Sequence, residues 1–469
     1  MSLGKRSPRR WLATTIAAAM AVTGAAFAVL TPGTASAAAT FPLKASANNR
    51  YLVGANNQPF YFAADTGWFL PEMATAAEFD LYLDNRAAKG FNTVMVMAPH
   101  FWNDRNRAGQ LPFTTSGNLA TPNEAWWAHM DAFVDKARAR GLLVNMSLTW
   151  LGYNNGTWGN GQLAGNSIAA ATGFGQFIGR RYATGARNNV LFQLGGDANP
   201  NGATRDRINA IGNGIRSVNG NVLITAHTAP GHEARAIYSS NAGWMNLNNV
   251  YTYYPGKNNS RHVYAISKDA YLRDPTMPYV MMESGYENDG ASASQVRAEQ
   301  YWPVLSGASG FAYGNRDVWP AGSKYGRSGQ RWQDHLNDRM AVSAGHAARV
   351  MQGRAWYNLV PDFDHTVVTA GYGTFNNTNR GGGNDYVTAA RTGDGRLVMA
   401  YVPSTGTGTR TLTVNMARLS VNPVSAKWFN PANGSYTTIG SFPNTGSRTF
   451  TTPGNNGQSM NDWLLILEP

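Results

Sequence analysis

The sequence predicts a (β/α)8 barrel followed by a small all-β sandwich. Between residues 50 and 353, eight short apolar runs alternate with stretches of helical character, the pattern of a parallel sheet wound with crossover helices. After Gly353 the helical period disappears and short alternating strands take over. The third observation is positional. Acids stand at the ends of several of the eight runs, where a barrel of this kind carries its reactive groups.

Taken in order, Phe60–Asp65 reads as the first strand. Thr75-Ala76-Ala77-Glu78 forms a capping box that opens a helix ending near Gly90. Phe91–Pro99 is the second strand, a helix spans Asn123–Gly141, and Leu142–Trp150 is the third strand. A Gly/Asn-rich loop over Leu151–Asn166, which includes Tyr153 and Trp158, precedes a helix near Ser167–Ala183. The fourth strand starts at Asn189 and breaks into Gly195-Gly196-Asp197-Ala198-Asn199-Pro200. Paired glycines let the backbone leave the strand at an angle few residues adopt, and Pro200 prevents a return to the ladder. Asp197 is then either an acid at a strand tip or the cap of the helix beginning near Asn201. Val222–His227, Asn249–Tyr254, Tyr279–Glu283 and Gly310–Gly314 complete the eight strands, with helices over Ser292–Leu305 and Gln333–Met351. Residues 229–247 show no clear helical period. In the last part, strands are expected at 366–370, 386–391, 397–403, 411–416, 426–429 and 463–467, with Thr392-Gly393-Asp394-Gly395 as a hairpin turn and 375–384 as a loop. The expected domains are a barrel over 41–353 and a sandwich over 363–469.

Residues 1–37 are set apart from both. Lys5, Arg6, Arg9 and Arg10 precede an Ala-rich apolar run, and Ala35-Ser36-Ala37 supplies a cleavage site, so a secretory signal is expected. Arg9-Arg10-Trp11-Leu12 resembles a twin-arginine signal, and export by either the Sec or the Tat route fits. No later stretch approaches the ~20 apolar residues of a membrane span. The chain has no cysteine, which removes disulfides, thiolate nucleophiles and Cys–zinc sites. The leader holds four of the 39 Lys+Arg and none of the 27 Asp+Glu, so the net charge falls from +12 to +8 without it. The basic residues are scattered, so nucleic acid is a poor partner for this chain. Nothing in the composition calls for a cofactor, and a monomer is expected.

Four of the tip positions carry acids: Asp65 on strand one, Asp197 on four, Glu283 on seven and Asp317 just after eight. Acids at tips four and seven face each other across a barrel mouth. Two carboxylates flanking a glycosidic bond need that arrangement, one to protonate the leaving oxygen and one to attack or to activate water. Aromatic residues concentrate in the loops at the same end, among them Trp68, Trp102, Trp150, Tyr253, Tyr254, Tyr313 and Trp319. Flat rings suit the C–H faces of sugars, though each could equally be packing. His100, His227 and His232 are the possible bases or metal ligands, but no H-E-x-x-H or similar spacing is present. Neither a G-x-S-x-G elbow nor a phosphate-binding glycine motif occurs.

Several segments resemble the apiosidase-like glycoside hydrolases. They are Ala64-Asp65-Thr66-Gly67-Trp68, the stretch Arg86–Asn92, Leu194–Pro200, and Glu283 with Tyr286-Glu287. Arg354–Asp362 and Trp428-Phe429-Asn430-Pro431 are similar to that family's barrel exit and C-terminal β-domain, a domain whose collagen-binding label is a name only. The resemblance implies a retaining barrel glycosidase acting on plant pentofuranosides of an oligo- or polysaccharide, without a metal, with Asp197 as acid/base and Glu283 as nucleophile. In that reading the carboxyl groups stand about 5–5.5 Å apart, Asp197 titrates above Glu283, and Glu287 is a rival nucleophile set further out. Asp65, Trp68, His100, Trp102, Trp150, Asn199, His227, Tyr254, Glu287 and Trp319 are the expected substrate-binding residues. Ala198 and Met281–Gly285 depart from the family pattern, as does the loop 154–160. Because these line the cleft, fold and chemistry transfer better than substrate. The competing reading is a carbohydrate-binding or adhesion protein that keeps the barrel without catalysis.

Overall fold

The computed structural model describes residues 1–2, 38–100, 102–152, 161–238, 242–255 and 260–469. The expected leader (from residue 3), and the loop with Tyr153, Trp158 and residues 154–160, lie outside the described residues. Residues 38–469 form one compact unit. No helix among the described residues is long and apolar enough to cross a membrane.

Eight parallel strands form the barrel: β1 (Phe62–Thr66), β2 (Thr93–Met97), β3 (Leu143–Ser147), β4 (Val190–Gly195), β5 (Ile224–His227), β6 (Asn248–Tyr251), β7 (Tyr279–Glu283) and β8 (Gly310–Tyr313). Every residue of every one of these strands is buried, as expected when a sheet has side chains packed inside it and helices outside. A continuous ladder runs β8-β1-β2-β3-β4-β5, and β6 pairs with β7. The two remaining seams are closed by fewer bonds. Asn246 and Leu247 donate to the Ile224 carbonyl at 3.1 and 3.3 Å, and Ser309 donates to the Tyr279 carbonyl at 2.7 Å.

The outer layer follows the sequence pattern closely. α1 (Ala76–Lys89) opens with the Thr75–Glu78 capping box, worth about 1 kcal/mol, and ends at Gly90 with φ 95°. α2 (Glu124–Ala139), α3 (Ile168–Tyr182) and α4 (Gly202–Val218) follow β2, β3 and β4. Between β5 and β6, where no helical period was readable, the described residues hold a two-residue strand (His232–Glu233) and the short α5 (Ala234–Tyr238). The sequence pattern missed α6 (Val263–Leu272), whose residues 263–267 are all buried. Its apolar residues are not gathered on one buried stripe, since Leu272 is exposed while Ser267 is buried, so the helical period is weak. α7 is Ala293–Leu305. The helix expected over Gln333–Met351 is two elements, a 3-10 turn at Trp332–His335 and α8 at Arg339–Gln352, divided at the extended Asp338.

The remaining chain makes two facing antiparallel sheets. The six-stranded sheet runs β9 (Leu359–Pro361), β11 (Thr388–Thr392), β12 (Val398–Val402), β17 (Trp463–Glu468), β14 (Val424–Phe429) and β15 (Tyr436–Phe442). The three-stranded sheet is β10 (Val368–Ala370), β13 (Thr411–Asn415) and β16 (Ser447–Thr451). The sequence pattern lacked β9, β15 and β16. β15 is an edge strand with no fully buried residue, so it offers no apolar alternation to read.

α7 joins the two halves. Arg297, fully buried, donates to Asp462 at 2.9 Å and to Ser343 at 2.9 Å. Trp302 Nε1 donates to the Tyr386 carbonyl at 2.9 Å, and the rings of Tyr301 and Tyr401 stack at 4.5 Å. A single apolar cluster therefore runs from Tyr61 and Phe311 in the barrel to Met399 and Ile466 in the sandwich.

Candidate active site

The site forms where β4 ends. Gly195 and Gly196 take φ 91° and 122°, and Asp197 itself takes φ 55°. A Cβ on Gly196 would lie 2.5 Å from the Trp150 ring, and one on Gly195 would lie 2.4 Å from the His227 carbonyl. Only glycines let Trp150 and β5 come so close. Gly195 N–H donates to Thr149 Oγ1 at 2.8 Å and Gly196 N–H to the His227 carbonyl at 3.0 Å, which fixes the turn. The helix α4 begins after Asn201, so Asp197 does not cap it. Its carboxylate instead receives a hydrogen bond from Tyr251 at 3.0 Å.

Glu283 ends β7, with 5% of its surface exposed. The Gly285 N–H donates to Glu299 at 3.0 Å, anchoring the turn that follows. His227, the last residue of β5, sits between the two acids. The Asp197 N–H donates to its Nδ1 at 3.3 Å, and its Nε2 lies 2.7 Å from Glu283 Oε2. Because Nδ1 accepts that bond, the ring proton resides on Nε2, the nitrogen that lies close to Glu283. One acceptor or donor atom each of Asp197, His227 and Glu283 lie within 4.8 Å of one another. Such a trio has the composition of a divalent-cation site, a tertiary arrangement that linear ligand spacing does not reveal.

Burial raises the Asp197 carboxyl to about 7; the nearby Glu283 charge pushes the same way, against smaller lowering by His227 and Tyr251. Asp197 retains some exposure toward the cleft, so the group is deep yet open to a ligand. Around it lie Trp68, Trp150, His227 and Tyr251, with successive ring centres at 5.1, 5.1 and 4.6 Å. Trp68 Nε1 donates to the Tyr286 hydroxyl at 2.7 Å, and Tyr286 in turn hydrogen-bonds Glu283.

The structure therefore brings Asp197, Glu283, His227, Trp68 and Trp150 into one centre. Tyr251 and Tyr286 also belong to it, although neither was singled out as a site residue. Tyr251 ends β6, so the strand-tip rule that selected Asp197 would have selected it too.

Other expected site residues stand elsewhere. Asp65 does not face the cleft. It is fully buried against α1, 2.9 Å from Arg86 Nε and bonded to the Tyr82 hydroxyl. Side chains alternate along a strand, and this parity turns Asp65 outward. Glu287 also points away from Asp197. It accepts the Tyr313 hydroxyl, and its two oxygens accept the Met340 N–H at 3.1 and 3.2 Å at the N-terminus of α8, where a carboxylate complements the helix dipole. Asp317 pairs with Arg327. His100 and Trp319 belong to a neighbouring aromatic group around Phe69, at 3.9 and 5.2 Å, and burial holds the His100 imidazole well below its usual range. Trp102 packs over Gly117, where a Cβ would meet its ring at 3.1 Å. Asn199 braces the β4 and β5 loops by accepting the Ala229 N–H at 3.0 Å. Tyr254 packs on Tyr253 at 5.3 Å, and His232 is exposed on its short strand.

A barrel with a carboxylic acid and a carboxylate converging at its C-terminal mouth is the architecture of a glycoside hydrolase. Residues 46–358 match the family model described as "Apiosidase-like, catalytic domain", and the chain belongs to that family. Residues 375–468 match a second model, "Putative collagen-binding domain of a collagenase". None of the curated proteins matches the sequence. Among solved structures, a chain titled "Glycoside hydrolase" superposes with a TM-score of 0.77 at 23% identity, covering 91% of this chain and 96% of its own. A glycoside hydrolase family 5 protein from Bacteroides vulgatus gives 0.78 at 22% identity, with 91% and 93% covered. An endo-1,4-beta-mannanase from Rhizomucor miehei gives 0.50 at 15% identity, covering 66% of this chain and 99% of its own. At these identities the likeness is one of fold.

Proposed function

We propose that the chain is a secreted retaining glycosidase that removes pentofuranosyl residues from plant or microbial polysaccharide, with Asp197 as acid/base and Glu283 as nucleophile. The observation that carries this reading is the closeness of the two carboxyl groups, one oxygen of each and a His227 nitrogen all lying within 4.8 Å of one another. Retaining enzymes need about 5–5.5 Å between the carboxyls, whereas an inverting enzyme needs about 6.5–9.5 Å to seat water between them.

The division of labour follows from the environments. Asp197 is raised to about 7 and holds a proton near neutrality, as a general acid must. It gives that proton to the leaving oxygen while Glu283 attacks the anomeric carbon and forms a glycosyl–enzyme ester. Asp197, now ionised, then takes a proton from the water that cleaves the ester. His227 and Tyr286 fix the orientation of Glu283 throughout, by the 2.7 Å approach of Nε2 and by the phenol hydrogen bond. The pentofuranoside substrate is proposed from the family membership, and export from the 1–37 leader. Two tests apply. Proton NMR should detect the retained anomer first when the protein is incubated with arabinan, arabinogalactan and pectic oligosaccharides; the inverted anomer first would refute the double displacement. A protein that binds these sugars without releasing any would belong to the binding class instead.

A further inference from the structure

We propose a second, non-catalytic sugar-binding site at the closed end of the barrel, a reading that rests on the chain being a polysaccharide-acting enzyme. A cavity of about 300 Å³ lies between the barrel and the sandwich, lined by Arg50, Tyr51, Tyr271, Tyr357, Asn358 and Asp394 among others. Gly307 and Ala308 on its wall lead into β8, and Tyr271 lies near the end of α6, ahead of β7. The cavity is thus at the N-terminal end of the strands, opposite Asp197 and Glu283.

Three features make it a built site. Arg50 is held rigidly, its guanidinium 4.1 Å over the Tyr271 ring and its Nη1 donating to the Tyr271 carbonyl at 2.7 Å. Its Nε and Nη2 have no bonded partner among the described residues, so a fixed pair of donors is left for a ligand. Secondly, the walls are aromatic. Tyr51 and Tyr357 lie 5.5 Å apart with a 44° tilt, and Tyr51 packs edge-on to Trp356 at 6.0 Å. Val360, 48% exposed, extends this apolar side, while Asn48, Asn358 and Asp394 are exposed on the polar side. Rings and methyls on one side with amides, a guanidinium and a carboxylate on the other match a sugar, which has C–H faces and a hydroxyl rim. At the small end of ligand cavities, the volume suits one or two sugar residues and no longer chain.

Thirdly, separate parts of the sequence converge on it. The segment Arg354–Asp362 supplies Tyr357 and Asn358, and the hairpin turn Thr392–Gly395 supplies Asp394, with the Gly393 N–H bonded to the Asn358 carbonyl at 3.2 Å. Neither takes part in the mouth. The occupant we assign is a sugar residue of the same polysaccharide that is cut at the mouth, held so that the chain stays near the enzyme.

The test is affinity electrophoresis of the full chain carrying Glu283→Gln through gels containing arabinan, arabinogalactan or pectin, with and without Tyr357→Ala or Arg50→Gln. Retardation by at least one polysaccharide is expected, with the apparent affinity at least fivefold weaker in both double variants at unchanged Tm. In the Glu283 enzyme, the same two changes should leave turnover of a small aryl glycoside within twofold of wild type. Equal retardation with and without the cavity changes, or no retardation in any gel, overturns the proposal. If either cavity variant loses its Tm, the other decides. Retardation that depends on Arg50 in a protein with no hydrolytic activity would keep this site and remove the glycosidase reading.

Discussion

The backbone N–H of Asp197 donates to Nδ1 of His227 at 3.3 Å, so the peptide of one carboxylic acid sets the tautomer of the ring that lies beside the other, Glu283. Asp197 makes this bond from a left-handed backbone, with φ 55°. A left-handed aspartate is uncommon and costs of order 1 kcal/mol, which the Gly196 and Tyr251 hydrogen bonds hold in place. The strain belongs to the site and aims the amide and the carboxylate in different directions.

Asp197→Asn tests the acid role. Hydrolysis of glycosides with poor leaving groups should fall by about 10²–10⁴, the usual worth of general acid catalysis. Activated aryl glycosides, which need no proton on the leaving oxygen, should lose far less. Equal losses on both classes, measured as kcat/KM, would exclude Asp197 from this role.

The pH profile should show an alkaline limb governed by the same group. Asp197 must be protonated to act, so kcat/KM should decline as pH rises past about 7. Stability follows the same sign. A carboxyl raised by folding binds its proton more tightly in the native state, so its contribution is present below the unfolded value and is lost as pH rises to about 7. Asp197→Asn should therefore narrow the difference between Tm at pH 5 and Tm at pH 8. A difference as wide as in wild type would contradict the assigned shift.

Trp68→Phe keeps a ring beside Trp150 and removes the N–H that holds Tyr286. Loss of one such hydrogen bond costs about 0.5–1.5 kcal/mol, so kcat should drop roughly 2- to 13-fold. The effect should fall on kcat more than on KM, since the bond orients Glu283 through Tyr286. A rise in KM alone would make Trp68 a sugar contact and nothing more.

Asp65→Ala should unfold the barrel rather than empty its mouth. It leaves Arg86 buried without its carboxylate, a loss of about 3–5 kcal/mol. The Tm from circular dichroism and the turnover in a parallel assay should fall together, whereas a folded, inactive variant would return Asp65 to the site.

The strands and most helices were legible because their signals are local: apolar runs, a capping box at Thr75–Glu78, and glycines that break β4. The positions of Asp197, just past the end of β4, and Glu283, the last residue of β7, were legible for the same reason, each standing beside glycine or serine. Asp65 was misread because a strand-tip rule says how far along the barrel a residue lies and nothing about which side it faces. One residue of parity separates the cleft from the α1 layer, where Tyr82 and Arg86 wait 17 and 21 residues downstream. The role of Glu287 depends on α8, over fifty residues away, and no local pattern announces that partnership. Tyr251 and Tyr286 were visible as letters, but a phenol acquires a role only through the carboxylate it meets in three dimensions.

The Arg297–Asp462 pair bears on how such a protein can be recombined. A guanidinium with no exposed surface must find its carboxylate on the sandwich, and the indole of Trp302 must find the carbonyl of Tyr386 there. The sandwich is for this reason no interchangeable cassette. A chimera that joins this barrel to a foreign β-domain inherits an orphaned cation at the graft unless the new partner brings an acid in the place of Asp462, so the two halves travel together as a single heritable piece.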